Sequence, residues 1–263
     1  MLDSIINNSG IFLLIFGRVV ALIMTTPILS SSAVSRVAKI ALGGFTAFAV
    51  FPTVNSLGWN VPAFGLEYVF LLIGEIMIGI VTGFFVNMVF ATFSSAGQFF
   101  SYQMGFGASE VYDTLAQIEN PLMGQFLNLA AMFVFLQVDG FRQLFLGGVL
   151  RSFQSLNAPL LMAARDNFLM LVLKGLTGLF LNGLVISMPV IVTLFLITLA
   201  TGLLSKAAPQ INLLSEGLPV TIIVSFVILF LSMPVMIDLF INILNSGYKT
   251  LQDFFIYVGG IDG

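Results

Sequence analysis

The chain has 263 residues, of which 59% are hydrophobic and only 8% are charged, so it lacks the polar residues needed to cover a soluble surface. It contains no cysteine and no histidine, which excludes disulfides, thiol nucleophiles, Ser-His relays and Cys/His metal sites. The net charge is −3 and no run of Lys or Arg occurs, which excludes a basic surface for nucleic acid. We therefore predict an all-α membrane protein without cofactor, metal or nucleic-acid partner.

The first apolar stretch, Ile11–Leu29, contains Arg18 near its middle and Pro27 near its end. An arginine at membrane depth costs about 2.5–3.5 kcal/mol on insertion scales, so we expect Arg18 to face protein, water or a counter-ion. A buried structural ion pair is favoured over a transport role. Met1–Ser9 contains no Lys or Arg, and we expect no cleaved signal there.

A polar turn, Ser30–Lys39, leads into a rather short apolar segment, Ile40–Pro52. This length is typical of a half-span or of a helix buried among others. The next segment, Asn55–Ala63, contains Trp59 and several turn-forming residues, and we interpret it as a loop.

Tyr68–Phe93 is long enough to span a membrane and contains Glu75, Gly79 and Gly83 at steps of four. This spacing places a carboxylate and two glycines along one face of a helix. Glycines on a helix face allow a neighbouring backbone to approach closely. We therefore expect Glu75 to point at another helix, with structural pairing favoured over proton transfer.

Ser94–Asn120 is predicted to be a polar loop, because it is too polar to span a membrane and too aromatic to be a solvated linker. Glycines flank aromatic side chains in it, an arrangement that suits a plug or a gate in a pore. An ordinary connector is the alternative. The candidate plug residues are Gly105, Phe106, Gly107, Glu110 and Asp113.

Leu122–Val138 is the next apolar stretch, and Phe141–Lys174 follows as an amphipathic region with scattered basic residues. Such a region is typical of helices that lie along an interface or against partner subunits. The basic connectors do not fall on one side of a simple six-span model, so either the spans are not six or some helices do not cross.

Two long apolar stretches, Gly175–Ser205 and Val220–Leu239, each contain a proline, Pro189 and Pro234. Proline removes a helix hydrogen bond, so a kink or a break is expected at each. Each proline lies in its own copy of the sequence Ser-Met-Pro-Val, and this repetition is compatible with a duplicated helix or with coincidence.

Between these stretches, Gly202–Pro219 is predicted to be a polar turn. Its polar and proline residues include Lys206, Pro209, Gln210, Asn212 and Glu216. Lys206 is one of two candidate partners for Glu75, and Arg18 is the other. We expect that stranding one member of such a buried pair destabilises the protein more than removing both.

The motifs together resemble those of the FliR proteins of the flagellar export gate and of their injectisome homologues, called SctT. The resemblance covers nearly the whole chain, and its strongest part is Ser205–Asn212 (SKAAPQIN), followed by Gly217 and Pro219. The supporting pieces are Arg18 with Pro27, Gly74-Glu75 with Gly79 and Gly83, Gly97, Asp113, Pro121, Asp139-Gly140, Ser152 and Met188-Pro189. Lys206, Thr114 and Phe141 stand where the family usually has Arg, Pro and His, and the resemblance assigns no role to those three side chains themselves.

The resemblance implies one export-gate domain over residues 1–263, built from kinked helices that pack as antiparallel hairpins in a helical assembly. It implies a non-enzymatic subunit that forms a pore with FliP-like and FliQ-like subunits, beside FlhB-like and FlhA-like export components. Unfolded flagellar proteins would pass through this pore. The assembly would lie among lipids of the bacterial inner membrane, in the flagellar basal body. The polar loop would supply a plug, and the turn around Lys206 would lie near the cytoplasmic entrance.

Three alternatives remain open at this point. The first is a subunit of an injectisome gate. The second is a proton-coupled secondary transporter that uses Glu75 and Arg18 at membrane depth with proline-broken helices. The third, an intramembrane enzyme, lacks any clear Ser/Lys or paired-Asp constellation.

Overall fold

The computed structural model describes residues 2–59, 61–62, 65–105, 122–158, 165–207 and 213–259. In these ranges the chain forms helices joined by short turns and no strand, so the predicted all-α fold is confirmed. We number the helices α1 Leu2–Asn7, α2 Ser9–Thr25, α3 Pro27–Ser30, α4 Arg36–Ser56, α5 Leu66–Met104, α6 Leu122–Gln137, α7 Gly140–Ser155, α8 Arg165–Ala207 and α9 Leu213–Gly259. The central part of α7, Gln143–Leu150, has the wider π-helical hydrogen bonding.

Within the described residues, four helices are long and apolar enough to cross a membrane, namely α4, α5, α8 and α9. Helices α6 and α7 would together form a fifth, but they are bent by 77° at Asp139. Asp139 has a φ of 53°, in the left-handed region, and this backbone conformation ends α6 and redirects the chain into α7. The protein is therefore a multi-pass membrane protein by the length and composition of its helices.

The short apolar segment predicted at Ile40–Pro52 is longer in the structure. Helix α4 begins at Arg36, where the Ser35 side chain accepts a hydrogen bond from the Ala38 amide, and it continues past Pro52 to Ser56. Lys39 was assigned to a turn but lies in α4, is only 7% exposed, and donates from Nζ to the Ser30 carbonyl at 2.7 Å. A buried lysine that is hydrogen-bonded to a backbone carbonyl gives no local sequence signal.

The predicted start of the polar loop at Ser94 is wrong, because α5 continues without interruption to Met104. The polar residues after Phe93 are interrupted by large apolar ones that are buried, such as Phe100 and Met104. Tertiary packing therefore stabilises a helix where composition alone favours a loop.

The predicted turn Gly202–Pro219 is also shorter than expected. Helix α8 includes Lys206, and α9 begins at Leu213, so only residues 208–212 lie outside the described helices. Helices α8 and α9 continue through Pro189 and Pro234, which excludes a break and leaves a kink as the remaining prediction.

The described residues form two compact units. The first contains residues from Met1–Met88, Asp139–Leu176 and Asn245–Gly263. Its core includes Leu14, Ile15 and Val19 of α2, with Ile78 of α5 and Phe255 of α9. The single domain predicted for residues 1–263 stays a prediction.

The second unit contains residues from Val89–Val138 and Thr177–Leu244. Its core is aromatic: the Phe90 ring lies 5.5 Å from that of Phe135, and the Phe93 ring lies 4.5 Å from that of Phe240. Helices α5 and α6 cross at Gly97 and Gly124, where a Cβ on Gly97 would overlap the Gly124 backbone.

Candidate functional site

A buried ion pair lies in the first unit, where Arg18 of α2 meets Glu75 of α5. Both side chains are sealed from solvent, with 1% and 0% of their surface exposed. The Arg18 Nε donates to Glu75 Oε2 at 2.7 Å, and Nη2 forms an ion pair with the same carboxylate. Of the two partners predicted for Glu75, the structure shows Arg18.

The end of α7 and the segment that follows it complete the site. Arg18 Nη2 donates to the Leu156 carbonyl at 2.8 Å, and Nη1 donates to the Ser152 hydroxyl at 3.2 Å. The Ser152 hydroxyl donates in turn to the Val149 carbonyl at 2.7 Å. On the other side, Glu75 Oε1 accepts from the Ala158 amide at 3.0 Å. The ion pair therefore ties α2 and α5 to the chain between α7 and α8.

Two aromatic rings cover the guanidinium group. Arg18 Cζ lies 4.1 Å from the centre of the Phe153 ring and 5.7 Å from the centre of the Trp59 ring. Arginine at these distances is attracted to the negative face of an aromatic ring. The rings also keep water away from the ion pair, so water cannot easily take the place of either charged partner.

Glycines bring the two helices close enough for this pairing. A Cβ on Gly79 would collide with the backbone oxygen of Arg18, and a Cβ on Gly83 would collide with Thr25 Oγ1 and the Leu22 carbonyl. The Glu75–Gly79–Gly83 face of α5 therefore lies directly against the backbone of α2. This is the close approach that small residues four apart allow.

This arrangement suits a structural ion pair better than a catalytic site. Arg18 donates from all three nitrogens, and both carboxylate oxygens of Glu75 accept, so each charged group has its partners. Neither the guanidinium nor a fully bonded carboxylate is a nucleophile here. Among the described residues, no group of three or more His, Cys, Asp or Glu side chains is placed to hold a metal ion.

The other predicted site residues are described only in part. Gly105 directly follows α5 and has a φ of 88°, and its amide donates to the Tyr102 carbonyl at 3.2 Å. Lys206 is exposed in the last turn of α8. The remaining residues predicted for the plug and for the turn lie outside the described residues: Phe106, Gly107, Glu110, Asp113, Pro209, Gln210 and Asn212.

Sequence reasoning missed several members of the charged cluster. Trp59 was assigned to a loop, and Phe153 was not singled out. As the one tryptophan in the chain, Trp59 offered a weak signal, because tryptophan is the best aromatic partner for a cation. The Leu156 carbonyl and the Ala158 amide are backbone groups, which no sequence pattern marks.

Comparison with known proteins places the whole chain among bacterial export proteins. Residues 10–247 match the family described as bacterial export proteins, family 1. The flagellar biosynthetic protein FliR of Bacillus subtilis (strain 168) is 30% identical over 262 residues, covering 98% of this chain and 99% of the relative. FliR of Escherichia coli (strain K12) is 29% identical, with 90% and 89% covered. FliR of Aquifex aeolicus (strain VF5) is 24% identical, with 92% of each chain covered.

Proposed function

Because the chain belongs to bacterial export protein family 1, the family of FliR, we propose that it is a non-enzymatic subunit of the gate through which unfolded flagellar proteins are exported. Family membership makes it a component of the flagellar export apparatus. The proposal adds that it forms the pore with FliP-like and FliQ-like subunits in the bacterial inner membrane. It also adds that FlhB-like and FlhA-like export components are its neighbours.

The apolar surface of α8 is the observation that carries the proposal. Large apolar side chains are exposed along this helix from Leu176 to Leu204, a length of about 42 Å at 1.5 Å per residue. The hydrocarbon core of a bilayer is about 30 Å thick. A straight helix would have to tilt by more than about 40°, the upper end of the usual range, to hide this length in lipid. Partner subunits provide the remaining cover in the proposed gate.

Helix α9 supports the same conclusion. It has 47 residues, and only 17% of its most apolar 18-residue stretch is buried within the chain. The exposed side chains of α9 include Phe230, which is 79% exposed. Such a surface is expected for a helix whose neighbours are lipids and other subunits.

The secondary-transporter alternative is not favoured by the charged cluster. A proton-carrying Glu75 would need access to water, but its carboxylate is fully buried and is bonded to Arg18 and the Ala158 amide. The three relatives compared above are all flagellar by name, which favours the flagellar system over an injectisome.

Deleting the gene in its native bacterium tests the proposal directly. Flagellar proteins are expected to disappear from the culture medium and to return when the wild-type chain is supplied. The matched control is Glu67→Gln, an exposed carboxylate in the first turn of α5, which is expected to restore export fully. Normal flagellar export in the deletion strain would refute the proposal.

The predicted plug needs a separate test. Deleting Gly105–Glu119 is expected to leave the assembly intact but to make the closed pore leak ions, because the segment that fills the constriction is gone. Planar-bilayer conductance of the purified assembly measures this. A closed-state conductance equal to that of the wild type would exclude the plug role.

A further inference from the structure

A cleft in the first unit lies between the start of α8 and the end of α9. Its volume is about 640 Å³, within the range of small-molecule sites. Two helix faces line it, each with residues spaced by three, four and seven positions. Those faces are Asn167, Met170, Leu171 and Lys174 on α8, and Thr250, Asp253, Phe254 and Tyr257 on α9. The Phe168 and Phe254 rings, 6.4 Å apart, hold the two helices together beside it.

The cleft has one charge of each sign and an apolar floor. Lys174 and Asp253 are both exposed, and neither forms an ion pair with any other described residue. Lys249, one turn before Asp253, is exposed but does not line the cleft. Leu171 is 3% exposed and forms part of the apolar floor. The ligand that fits is therefore amphipathic and carries both charges.

The position of the cleft indicates where such a ligand comes from. Its residues occupy the first turns of one candidate span, Asn167–Lys206, and the last turns of another, Pro219–Val258. Each of these candidate spans is 40 residues long, about twice the number needed to cross the hydrocarbon core, so their ends extend beyond it. Tyr257, which is 74% exposed, is an interfacial residue type at such an end.

We propose that this cleft binds the headgroup of phosphatidylethanolamine, a phospholipid with a primary ammonium group and no anionic group besides its phosphate. Lys174, with the Asn167 amide and the Tyr257 hydroxyl, provides donors for the phosphate. Asp253 and the Thr250 hydroxyl oxygen provide acceptors for the ammonium group. The Thr250 hydroxyl already donates to the Ser246 carbonyl at 2.9 Å, so its oxygen is left to act as an acceptor for a ligand. The acyl chains follow the exposed apolar side chains Met170 and Leu173.

Charge complementarity decides among the common headgroups. Phosphatidylglycerol would satisfy Lys174, but its headgroup has no cation for Asp253 and offers it only neutral hydroxyl groups. Phosphatidylcholine has no N–H to donate to Asp253. Of these three lipids, only phosphatidylethanolamine offers both Lys174 and Asp253 an oppositely charged hydrogen-bonding group, and hydrogen bonds between charged groups are the stronger ones.

Native mass spectrometry of the full-length chain in mild detergent tests the site. The chain is mixed in turn with dioleoyl phosphatidylethanolamine, phosphatidylglycerol and phosphatidylcholine, and the lipid adducts are counted. Wild-type protein is expected to prefer phosphatidylethanolamine. Asp253→Asn is expected to weaken that adduct about tenfold, the effect of one charged hydrogen bond, and to remove the preference over phosphatidylglycerol. Asp253→Glu, which keeps the charge, is expected to keep the preference.

The control is Lys249→Gln, which changes an exposed lysine on the same helix outside the cleft and is expected to leave the preference unchanged. Lys174→Gln is expected to weaken binding of all three lipids equally, because all three have a phosphate. Equal binding of the three lipids by the wild type, or an unchanged preference in Asp253→Asn, would overturn the proposal. Loss of the adduct in the complex with the other gate subunits would also overturn it and would assign the cleft to a protein partner.

Discussion

The side chains of Arg18 and Glu75 join three separate parts of the chain, α2, α5 and the residues after α7. A buried ion pair contributes little net stability, because desolvating two charges offsets their attraction. Removing one member, however, leaves a buried charge without its partner. The pair therefore specifies which helices meet more than it strengthens their contact.

The double-mutant cycle of this pair follows from that reasoning. Glu75→Ala alone is expected to lower the free energy of unfolding by about 3–5 kcal/mol, and the double change Arg18→Met with Glu75→Ala by less. Thermal unfolding of the purified protein measures these two variants and Arg18→Met alone, which completes the cycle, with Glu67→Gln as the exposed control on α5. Additive losses in the cycle would show that the two side chains act independently.

The left-handed backbone conformation of Asp139 leads to a second prediction. A left-handed conformation costs a non-glycine residue about 1–2 kcal/mol, and Asp and Asn tolerate it better than others. Asp139→Gly and Asp139→Asn are therefore expected to keep or slightly raise stability, whereas Asp139→Val is expected to lower it by about 1–2 kcal/mol. Thermal unfolding midpoints rank the three variants, and a valine as stable as the glycine would contradict the assigned backbone conformation.

Helix packing is decided by small residues at two crossings, α2 with α5 and α5 with α6. At Gly79, an added methyl group would meet the Arg18 backbone, which cannot move as a side-chain end can. At Gly202 in α8, an added methyl group would meet nothing within 4 Å. The same substitution should thus have opposite effects at the two positions.

Gly79→Ala is expected to destabilise the protein by about 1–3 kcal/mol through overpacking, even though alanine favours a helix. Gly202→Ala is the matched control and is expected to stabilise by up to about 1 kcal/mol, because glycine weakens a helix interior. Thermal unfolding midpoints, measured on the isolated chain, compare the two variants. Equal effects of the two substitutions would mean that α2 and α5 do not approach as closely as the structure shows.

The sequence predicted the helices well where apolar composition decides them and poorly where packing does. The stripe Glu75–Gly79–Gly83 correctly predicted a close helix neighbour, and periodicity alone was enough for that. The continuation of α5 through Ser101 was missed, because a serine that is 2% exposed reads as polar until its neighbours are known. The pairing of Arg18 with Glu75 joins positions 57 residues apart, and two partners were compatible with the sequence.

At the scale of the whole molecule, family membership and the long exposed helices lead to the same conclusion. Helices α8 and α9 have large apolar side chains that the rest of the chain leaves exposed. The resemblance to the FliR family, expected from the motif around Lys206, is confirmed by the family match over residues 10–247 and by the FliR relatives. The plug and the turn residues stay predictions, because most of them lie outside the described residues.

The most direct test of the gate is the composition of the protein purified from its native membrane in mild detergent. Mass measurement and peptide identification are expected to show one copy of this chain in a large complex with several FliP-like and FliQ-like subunits. Partner subunits would then cover the apolar surface of α8. Recovery as a lone monomer or a homodimer would contradict the account, and proton-coupled transport by Glu75 and Arg18 would become the function to test.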